Sequence, residues 1–291
     1  MVELTTTKVW LITGASGGLG LALTKRALAR GDRVLAGVRS APKFPHHELD
    51  EIVSERLHLF ELDVSLPFED IKHSVDGAIK VWGRVDVVVN NAGVGIRTIQ
   101  EEGGAEFLQK SLQTNLFGVI NVTNAILPHM RERRDGTVVI IGSRSAWRNE
   151  FPGIGVYAVS KAAVHSYGET LSAEVQPFNI RVLIVCPGSF KTPGIYPATT
   201  SGAPIADYEP TRQAIEERFS KLGQRPGQGD PMVGMDILVD VVKGEGKAKG
   251  KPWPLWLPLG ADAVSDIRAR QGRITKLLDD WEEVVTDVGS I

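Results

Sequence analysis

The chain has 291 residues, and 33 lysines and arginines against 35 aspartates and glutamates give it a formal net charge of −2. This balance gives no basis for a nucleic-acid groove or an anionic-membrane surface. Apolar residues make up 42% of the chain, which excludes a disordered protein, and a single cysteine, Cys186, excludes a disulfide framework and a cysteine-based zinc site. No window approaches the roughly 18 uninterrupted apolar residues of a membrane span. We therefore expect a soluble, cytoplasmic protein without a metal site.

Short apolar runs alternate with helical periodicities along the first two-thirds of the chain. Runs of this kind are typical of buried parallel strands. The predicted strands are 8–13, 33–38, 57–62, 85–90, 137–141 and 180–185. The predicted helices are 18–30, Pro67 to about 82, roughly 104–130, and 155–176. Because parallel strands need crossovers that helices supply, this order predicts a doubly wound α/β fold, a parallel sheet with helices on both faces, in a single domain.

The last hundred residues break this rhythm. Residues 193–231 are rich in Pro, Gly and Thr, and predict either a mobile lid over a substrate or a long surface connection. A charged loop over 243–251 precedes a last predicted strand at 253–257. A helix is predicted over 262–291, and its apolar stripe packs on its own domain or contacts another subunit. The stripe consists of Val264, Ile267, Ile274, Leu278, Trp281, Val285 and Val288.

A glycine-rich turn, Thr13-Gly-Ala-Ser-Gly-Gly-Leu-Gly20, joins the first strand to the first helix. A helix N-terminus offers unpaired N–H groups and a partial positive charge, which suit a pyrophosphate. Glycines let the backbone turn sharply and let a ligand approach closely. The spacing fits TGxxxGxG through Gly14, Gly18 and Gly20, and it also fits TGxxGxxG through Gly17. The turn alone does not choose between the two.

Five further motifs follow in order: Asn90-Asn91-Ala92-Gly93 after the fourth strand, Asn115 in Thr-Asn-Leu-Phe-Gly, Ser143 after the fifth strand, Tyr157-Ala-Val-Ser-Lys161, and Pro187-Gly-Ser-Phe-Lys-Thr192 after the sixth. Together with the glycine turn, they resemble the short-chain dehydrogenase/reductase family over about two-thirds of the chain. The NNAG motif, the context of Asn115 and the modest length favour the single-domain TGxxxGxG branch. The resemblance implies a Rossmann-like fold and hydride transfer between a nicotinamide and a carbonyl compound or alcohol.

The proposed chemistry centres on Tyr157 and Lys161, which lie one turn apart on a predicted helix. A lysine ammonium at that distance is expected to lower the tyrosine pKa, so that the phenol serves as acid or base. Ser143 is predicted to hydrogen-bond the substrate oxygen. Ser145 is the alternative, because Ser143 lies fourteen positions before Tyr157, whereas thirteen is commoner in the family. The resemblance implies that Asn115 helps hold a water linking the lysine to solvent.

The end of the second strand indicates NADP(H). Val38 stands where an NAD enzyme would carry an acid, and Arg39 can pair with a 2′-phosphate, assisted by Ser40. The family's second basic residue is missing, because Gly17 occupies its position. By resemblance Asp63 contacts the adenine, although it or Ser65 can instead cap the following helix. The remaining expected cofactor contacts are Gly14, Ser16, Gly18, Leu19, Gly20, Val64, Asn90, Asn91, Ala92, Gly93, Tyr157, Lys161, Pro187, Gly188 and Thr192.

Aromatic and apolar residues near the ends of strands five and six are predicted to form a substrate wall, consisting of Trp147, Phe151, Phe190, Ile195 and Tyr196. They predict a moderately apolar ketone or aldehyde, or the corresponding alcohol, as the small-molecule substrate. Family members commonly form homodimers or homotetramers. Two alternatives stay open: a cofactor-sensing binding protein on the same scaffold, and a sugar-nucleotide epimerase or dehydratase, which usually needs a larger C-terminal domain.

Overall fold

The structure is a computed structural model that describes residues 7–46, 55–192, 202–222 and 227–289. Its strands are β1 (Val9–Thr13), β2 (Arg33–Val38), β3 (Leu57–Glu61), β4 (Val87–Asn90), β5 (Gly136–Ile141), β6 (Ile180–Pro187) and β7 (Trp256–Leu259). Its α-helices are α1 (Gly18–Ala29), α2 (Phe68–Trp82), α3 (Gln100–Leu112), α4 (Gly118–Arg133), α5 (Gly155–Val175), α6 (Glu209–Leu222), α7 (Pro231–Lys243) and α8 (Ala261–Val285). Within these ranges no helix has the length and hydropathy needed to cross a bilayer.

All seven strands run parallel in one sheet, in the order β3-β2-β1-β4-β5-β6-β7. The predicted doubly wound, Rossmann-like sheet is therefore confirmed. The chain winds outward from β1 to β3 and then returns to place β4 on the other side of β1. Such a reversal opens a crevice at the carboxyl ends of the strands, where ligands of this fold bind.

Two apolar layers cover the faces of the sheet. Helices α2, α4 and α5 pack on one face, and α1 and α7 pack on the other. Every residue of β1, β4 and β5 is buried, because these strands are covered on both sides. This double burial explains why their sequences are continuous apolar runs and not alternating ones.

The helical region predicted over 104–130 is longer and less regular in the structure. It begins at Gln100 and ends at Arg133, and a π-helical turn over Gln113–Phe117 separates α3 from α4. Inside α3, Gly104 has φ 55° and ψ −161°, outside the helical region. π-turns occur frequently at functional sites, and this one contains Asn115.

The prediction of an irregular segment over 193–231 is wrong where the structure describes these residues. Residues 209–222 form α6, and α7 begins at Pro231, with the Asp230 carboxylate accepting a hydrogen bond from the Met232 N–H. Residues 193–201 and 223–226 lie outside the described ranges. The last strand begins at Trp256 and not at 253, because Trp253 instead stacks on Arg181 and donates its indole N–H to the Val182 carbonyl.

The C-terminal helix packs on the domain only through its first turns. Ala263 and Asp266 are buried, whereas every described residue from Gln271 to Gly289 is exposed. The expectation that the apolar stripe packs on its own domain is therefore wrong for its larger part. The alternative expectation, a contact with another subunit, is still open.

Candidate functional site

A cleft of about 640 Å³ lies along the carboxyl ends of β1, β4, β5 and β6. Its wall includes the glycine turn after β1, the loops after the other three strands, the start of α5, and Phe219 of α6. Its volume and its place at the strand reversal are typical of ligand sites in doubly wound sheets.

The backbone of the glycine turn requires glycine at specific positions. Gly14 and Gly18 have φ of +65° and +53°, which disfavour a side chain. A Cβ at Gly20 would lie 2.3 Å from the Gly14 carbonyl oxygen, so Gly20 supports the turn from behind and does not line the cleft. Gly14, Ser16, Gly18 and Leu19 do line it, as predicted for cofactor contacts. The turn thus presents its backbone to the cleft.

The N-terminus of α1 offers a place for an anionic group. Gly17 is its N-cap, no side chain caps it, and its first turn contains no acidic residue. A Cβ at Gly17 would meet nothing within 4 Å, so the cleft is open directly in front of the helix end. Unpaired N–H groups and the helix dipole there suit a phosphate. These observations fit the pyrophosphate of a dinucleotide.

Hydrogen bonds attach the Asn-Asn-Ala-Gly loop to the glycine turn. The Thr13 hydroxyl accepts from the Asn91 and Ala92 N–H groups at 3.0 and 2.9 Å, and the Asn91 amide donates to the Thr13 carbonyl at 2.9 Å. Asn91, Ala92 and Gly93 line the cleft. Asn90 does not: it is buried and donates to the Thr123 hydroxyl at 3.0 Å, so its prediction as a cofactor contact is wrong.

Arg39 and Asp63 lie together at the end of the cleft formed by β2 and β3. Arg39 is exposed and lines the cleft, whereas Ser40 does not. The Asp63 carboxylate accepts from the Ser65 hydroxyl and N–H at 2.6 and 2.9 Å, and these bonds, with the Arg39 charge, lower its pKa. Pro67 is the N-cap of α2, so Asp63 closes a local turn and does not cap that helix. Val64 and Ser65 also face the cleft.

Tyr157, Lys161 and Ser143 converge on the cleft from α5 and from the end of β5. The Ser143 side chain lies close enough to Tyr157 to lower the pKa of its phenol. The Lys161 ammonium donates to the Ile141 carbonyl at 2.8 Å and lies 5.9 Å from the centre of the Tyr157 ring. The one-turn spacing of Tyr157 and Lys161 therefore places both on the cleft wall. The structure brings these three predicted residues together.

The pKa of Tyr157 shifts in the direction opposite to the expected one. Burial raises the pKa of this phenol, and the nearby Ser143 side chain opposes that rise only in part. Burial also lowers the pKa of Lys161, to about 8, which weakens the cation that was expected to act on the phenol. Tyr157 is therefore held in its protonated form in this structure.

Ser143 is fixed from two directions, which distinguishes it from Ser145. Its hydroxyl oxygen accepts the Ser145 N–H at 3.0 Å, and its own N–H donates to His165 Nε2 at 3.1 Å. Both serines line the cleft, but it is the Ser143 side chain that lies near enough to Tyr157 to lower the pKa of its phenol. The geometry therefore favours Ser143 over Ser145.

His165 supports this arrangement, and sequence reasoning did not assign it that role. Burial, and then the nearby Lys161 charge, lower its pKa to about 3, so the ring stays neutral and accepts the Ser143 N–H. A Cβ at Gly142 would lie 2.1 Å from His165 Nε2, so glycine is required there. The signal in the sequence is a histidine one turn after Lys161, on the same face of α5.

Asn115 lies behind the cleft wall and not on it. Its amide accepts from the Val94 N–H at 2.8 Å and donates to the Val94 carbonyl at 2.9 Å and to the Ser160 hydroxyl at 2.9 Å. A Cβ at Gly93 would lie 3.3 Å from Asn115 Oδ1 and 3.6 Å from Lys161 Nζ. The absence of a side chain at Gly93 therefore lets Asn115 and Lys161 face the same small space.

Of the predicted substrate wall, two residues lie off the cleft, one lines it, and two are not described by the structure. Trp147 packs against Trp256 and His165, with ring centroids 5.2 and 6.2 Å away, and Phe151 stacks on Arg148 and Arg218; neither lines the cleft. Phe190 does line it, and Ile195 and Tyr196 lie outside the described residues. The wall that sequence reasoning missed consists of Ile96, Arg97, Ile154 and Phe219.

Helix α8 closes the lip of the cleft through charged side chains. Arg144 donates to Asp266 and to the Ser189 hydroxyl at 2.5 and 3.0 Å, and Asp262 accepts the Ser189 N–H at 2.8 Å. A Cβ at Gly188 would lie 1.8 Å from the Asp262 carboxylate. These contacts explain the arginine between the two serines. Pro187, Gly188 and Thr192 also line the cleft, as predicted.

Three comparisons place the chain among known proteins. The family model for short chain dehydrogenases matches residues 8–200. An oxidoreductase of Botryotinia fuckeliana, BOA17, is 30% identical over 279 residues, which are 96% of this chain and 98% of the relative. The crystal structure of a short-chain dehydrogenase from Streptomyces avermitilis is 32% identical with a TM-score of 0.83, covering 98% of this chain and all of that one.

A fourth comparison concerns the fold alone. A short chain dehydrogenase from Burkholderia cenocepacia, solved in complex with NADP, is 22% identical to this chain and has a TM-score of 0.68. The alignment covers 95% of this chain and 98% of the Burkholderia chain. At this level of identity the likeness supports the shared sheet and helix arrangement.

Proposed function

Because the chain belongs to the short chain dehydrogenase family, we propose that it is an NADP(H)-dependent oxidoreductase acting on a ketone or aldehyde and the corresponding secondary alcohol. The observation that carries this proposal is the convergence of Tyr157, Ser143 and Lys161 on the cleft that begins at the glycine turn. When bound, the nicotinamide supplies or accepts the hydride. The residues of the chain supply the proton and the hydrogen bonds.

Tyr157 is the proposed proton donor to the substrate oxygen in the direction of reduction. A phenol whose pKa is raised by burial keeps its proton at neutral pH, which suits an acid. Ser143 donates a hydrogen bond to the same oxygen, and His165 holds the Ser143 backbone in place. Lys161, with a pKa of about 8, is a cation in most molecules at neutral pH and favours the phenolate that remains after proton transfer. Asn115, held behind the wall by Val94 and Ser160, is proposed to help hold a water that links Lys161 to solvent.

The other cleft residues support a dinucleotide. The glycine turn and the N-terminus of α1 suit the pyrophosphate, and Asp63 and Val64 lie where the adenine is proposed to bind. Arg39, exposed at that end, is the proposed partner of a 2′-phosphate. The NADP complex of the Burkholderia cenocepacia protein is in agreement with this choice. Thr192 and Pro187 are proposed to contact the nicotinamide end.

Two rival functions fit the site less well. A cofactor-sensing binding protein has no need of Tyr157, Ser143 and Lys161 together on the cleft wall, and all three line it. An epimerase or dehydratase acting on sugar nucleotides needs a larger substrate domain, whereas the segment after Thr192 contributes α6, α7, β7 and α8. We further propose a cytoplasmic location, consistent with a lone free cysteine, and a homodimer or homotetramer of one-domain subunits.

Replacing Tyr157 tests the proposed acid. Tyr157→Phe is expected to lower kcat for carbonyl reduction by about 10²- to 10⁴-fold, the usual contribution of a general acid. The dissociation constant for NADPH should stay unchanged. The measurement is NADPH oxidation against a panel of ketones and aldehydes, with a fluorescence titration for NADPH binding. The matched control is Tyr167→Phe, on the same helix but off the cleft wall. Turnover by the Tyr157→Phe enzyme close to that of the wild type would disprove the role.

Replacing Arg39 tests the choice of cofactor. Arg39→Asp is expected to raise the dissociation constant for NADPH about 10- to 100-fold, because a hydrogen bond to a charged group contributes about 1.5–3 kcal/mol. NADH binding should change little, since NADH has no 2′-phosphate. Lys43→Asp, an exposed charge reversal off the cleft wall, controls for the change in net charge. Equal losses of affinity for NADPH and NADH in the Arg39 variant would refute the assignment.

A further inference from the structure

Arg97, on the loop after β4, is a buried cation on the wall of the cleft. Its side chain is 8% exposed, and its Nε has no hydrogen-bond partner among the described residues. Its ion pair with Glu216 of α6 spans 3.7 Å, longer than a hydrogen bond, and the Glu216 side chain is 55% exposed. The guanidinium is therefore desolvated without full compensation from the protein.

Burying a guanidinium in this way costs free energy unless a ligand supplies a hydrogen-bond acceptor. A buried guanidinium that lacks hydrogen-bond acceptors loses hydration without replacing it. Burial lowers the pKa of Arg97, and the charge of Glu216 offsets that effect only in part. An anionic acceptor brought into the cleft by a ligand would compensate the guanidinium for part of its lost hydration.

The position of Arg97 assigns it to the substrate end of the cleft. The neighbouring Thr98 N–H donates to the Gly153 carbonyl at 3.2 Å, immediately before the helix that carries Tyr157. The Phe219 ring lies 4.4 Å from the guanidinium carbon and fixes the plane of the group. Arg39, the proposed phosphate partner, lies at the opposite end, where the loops after β2 and β3 meet.

The other cations near Tyr157 on the described cleft wall have good partners. Arg144 pairs with Asp266, and Lys161 donates to the Ile141 carbonyl. Arg97 is therefore the cation of this part of the wall that is left most in need of an acceptor. Apolar side chains of Ile154 and Phe219 adjoin it. An anionic group next to an apolar chain matches this surface.

We propose that Arg97 binds a carboxylate of the substrate, so that the carbonyl compound reduced is an oxo acid whose apolar portion contacts Ile154 and Phe219. This inference rests on the proposed reductase function and narrows its substrate class. Arg97 forms part of the cleft wall, and a guanidinium presents its N–H groups in pairs that match the two oxygens of a carboxylate. Arg97 is a specificity-determining residue, since it contacts the substrate away from the carbonyl that is reduced.

The test compares oxo acids with their methyl esters, which keep the carbonyl and lose the charge. NADPH oxidation is measured for 2-oxo and 3-oxo acids of several chain lengths and for each matching ester. The wild type should prefer the acids in kcat/KM. Arg97→Gln should lower kcat/KM for the acids by about 10- to 100-fold, mainly through KM, and leave the esters unchanged. Arg148→Gln, which removes an arginine that lies off the cleft wall, is the matched control.

The outcomes distinguish a failure of the role proposed for Arg97 from a failure of the proposed reductase function. Equal losses for acids and esters in Arg97→Gln would mean that Arg97 merely holds α6 in place, and would overturn the inference. A wild type that reduces esters as well as acids would overturn it while leaving the reductase function intact. If the wild type shows no NADPH oxidation with any of the acids or esters tested, the proposed reductase function itself is wrong.

A separate observation concerns the exposed part of α8. Beyond Gln271, about 20 Å of helix extends from the domain without burial, and an isolated helix of this length is marginally stable in water. Its exposed apolar residues follow a heptad spacing, with exposed fractions from 43% to 67%: Ile274, Leu277, Leu278, Trp281, Val284 and Val285. This spacing is that of a coiled-coil seam.

The distribution of charge along α8 indicates which surface covers its exposed apolar residues. Beyond its packed first turns, which contain Asp262 and Asp266, basic residues precede acidic ones: Arg268, Arg270, Arg273 (paired with Glu150) and Lys276 come first, and Asp279, Asp280, Glu282 and Glu283 follow. The acidic residues near the C-terminal end oppose the helix dipole, so the isolated helix gains nothing from them. In an antiparallel pair, the basic half of one helix faces the acidic half of the other. We infer that α8 docks against α8 of a second copy of this chain, in antiparallel orientation.

Light scattering coupled to size exclusion tests this interface. The double variant Leu277→Glu, Leu278→Glu should have half the mass of the wild-type assembly, because glutamates in the seam repel one another and remain solvated. Thr275→Glu, an exposed polar position on the same helix, should keep the wild-type mass. A monomeric wild type, or identical masses for the wild type and the double variant, would overturn the inference.

Discussion

The proposed chemistry depends on one buried hydrogen bond that joins two elements. His165 of α5 accepts the Ser143 N–H at the end of β5, which places the Ser143 hydroxyl near Tyr157, at the start of α5. Because the pKa of His165 is lowered to about 3, its acceptor nitrogen stays available across the physiological range of pH. A proton on that ring would remove the acceptor and release Ser143. The position of Ser143 beside the tyrosine thus rests on a neutral histidine that itself lies off the cleft wall.

The parallel sheet explains why these groups meet. β1, β4 and β5 are buried on both faces, so polar side chains are displaced to the carboxyl ends of the strands, where the connections begin. In parallel strands those ends share one edge of the sheet. The glycine turn, the Asn-Asn-Ala-Gly loop and Ser143 therefore converge although they are far apart in sequence. The same edge carries Arg97, which turns a general carbonyl site into one with a preference for charge.

The sequence was sufficient for the sheet, because apolar runs bounded by glycine and proline have few other interpretations. It was also sufficient for Tyr157, Lys161 and the glycine turn, whose spacing determines their position. The sequence was not sufficient where burial in the folded chain determines which side chains reach the cleft and what their pKa values are. Trp147 and Asn90 look like site residues from their neighbours, yet they face the core. The Tyr157 pKa rises because burial outweighs the opposing effect of Ser143, and burial lowers the pKa of Lys161 as well. Burial of this kind is not visible in local spacing.

Helix α6 and the exposed half of α8 were missed for a related reason. The proline, glycine and threonine content of 193–231 outweighs the short amphipathic pattern of α6, in which Ile215 is buried and Phe219 lines the cleft. The α8 stripe predicts burial correctly as a pattern, but a sequence does not say whether the covering surface belongs to the same chain. Both cases concern surfaces that only the folded molecule defines.

A crystal structure with NADPH and an unreactive analogue of an oxo acid is the most direct test of the central claim, that Tyr157 delivers the proton. The account predicts that the phenolic oxygen lies within hydrogen-bond reach of the analogue oxygen that replaces the carbonyl, next to the nicotinamide ring. A phenol turned away from that ring, or protein atoms filling the nicotinamide end of the cleft, would contradict it.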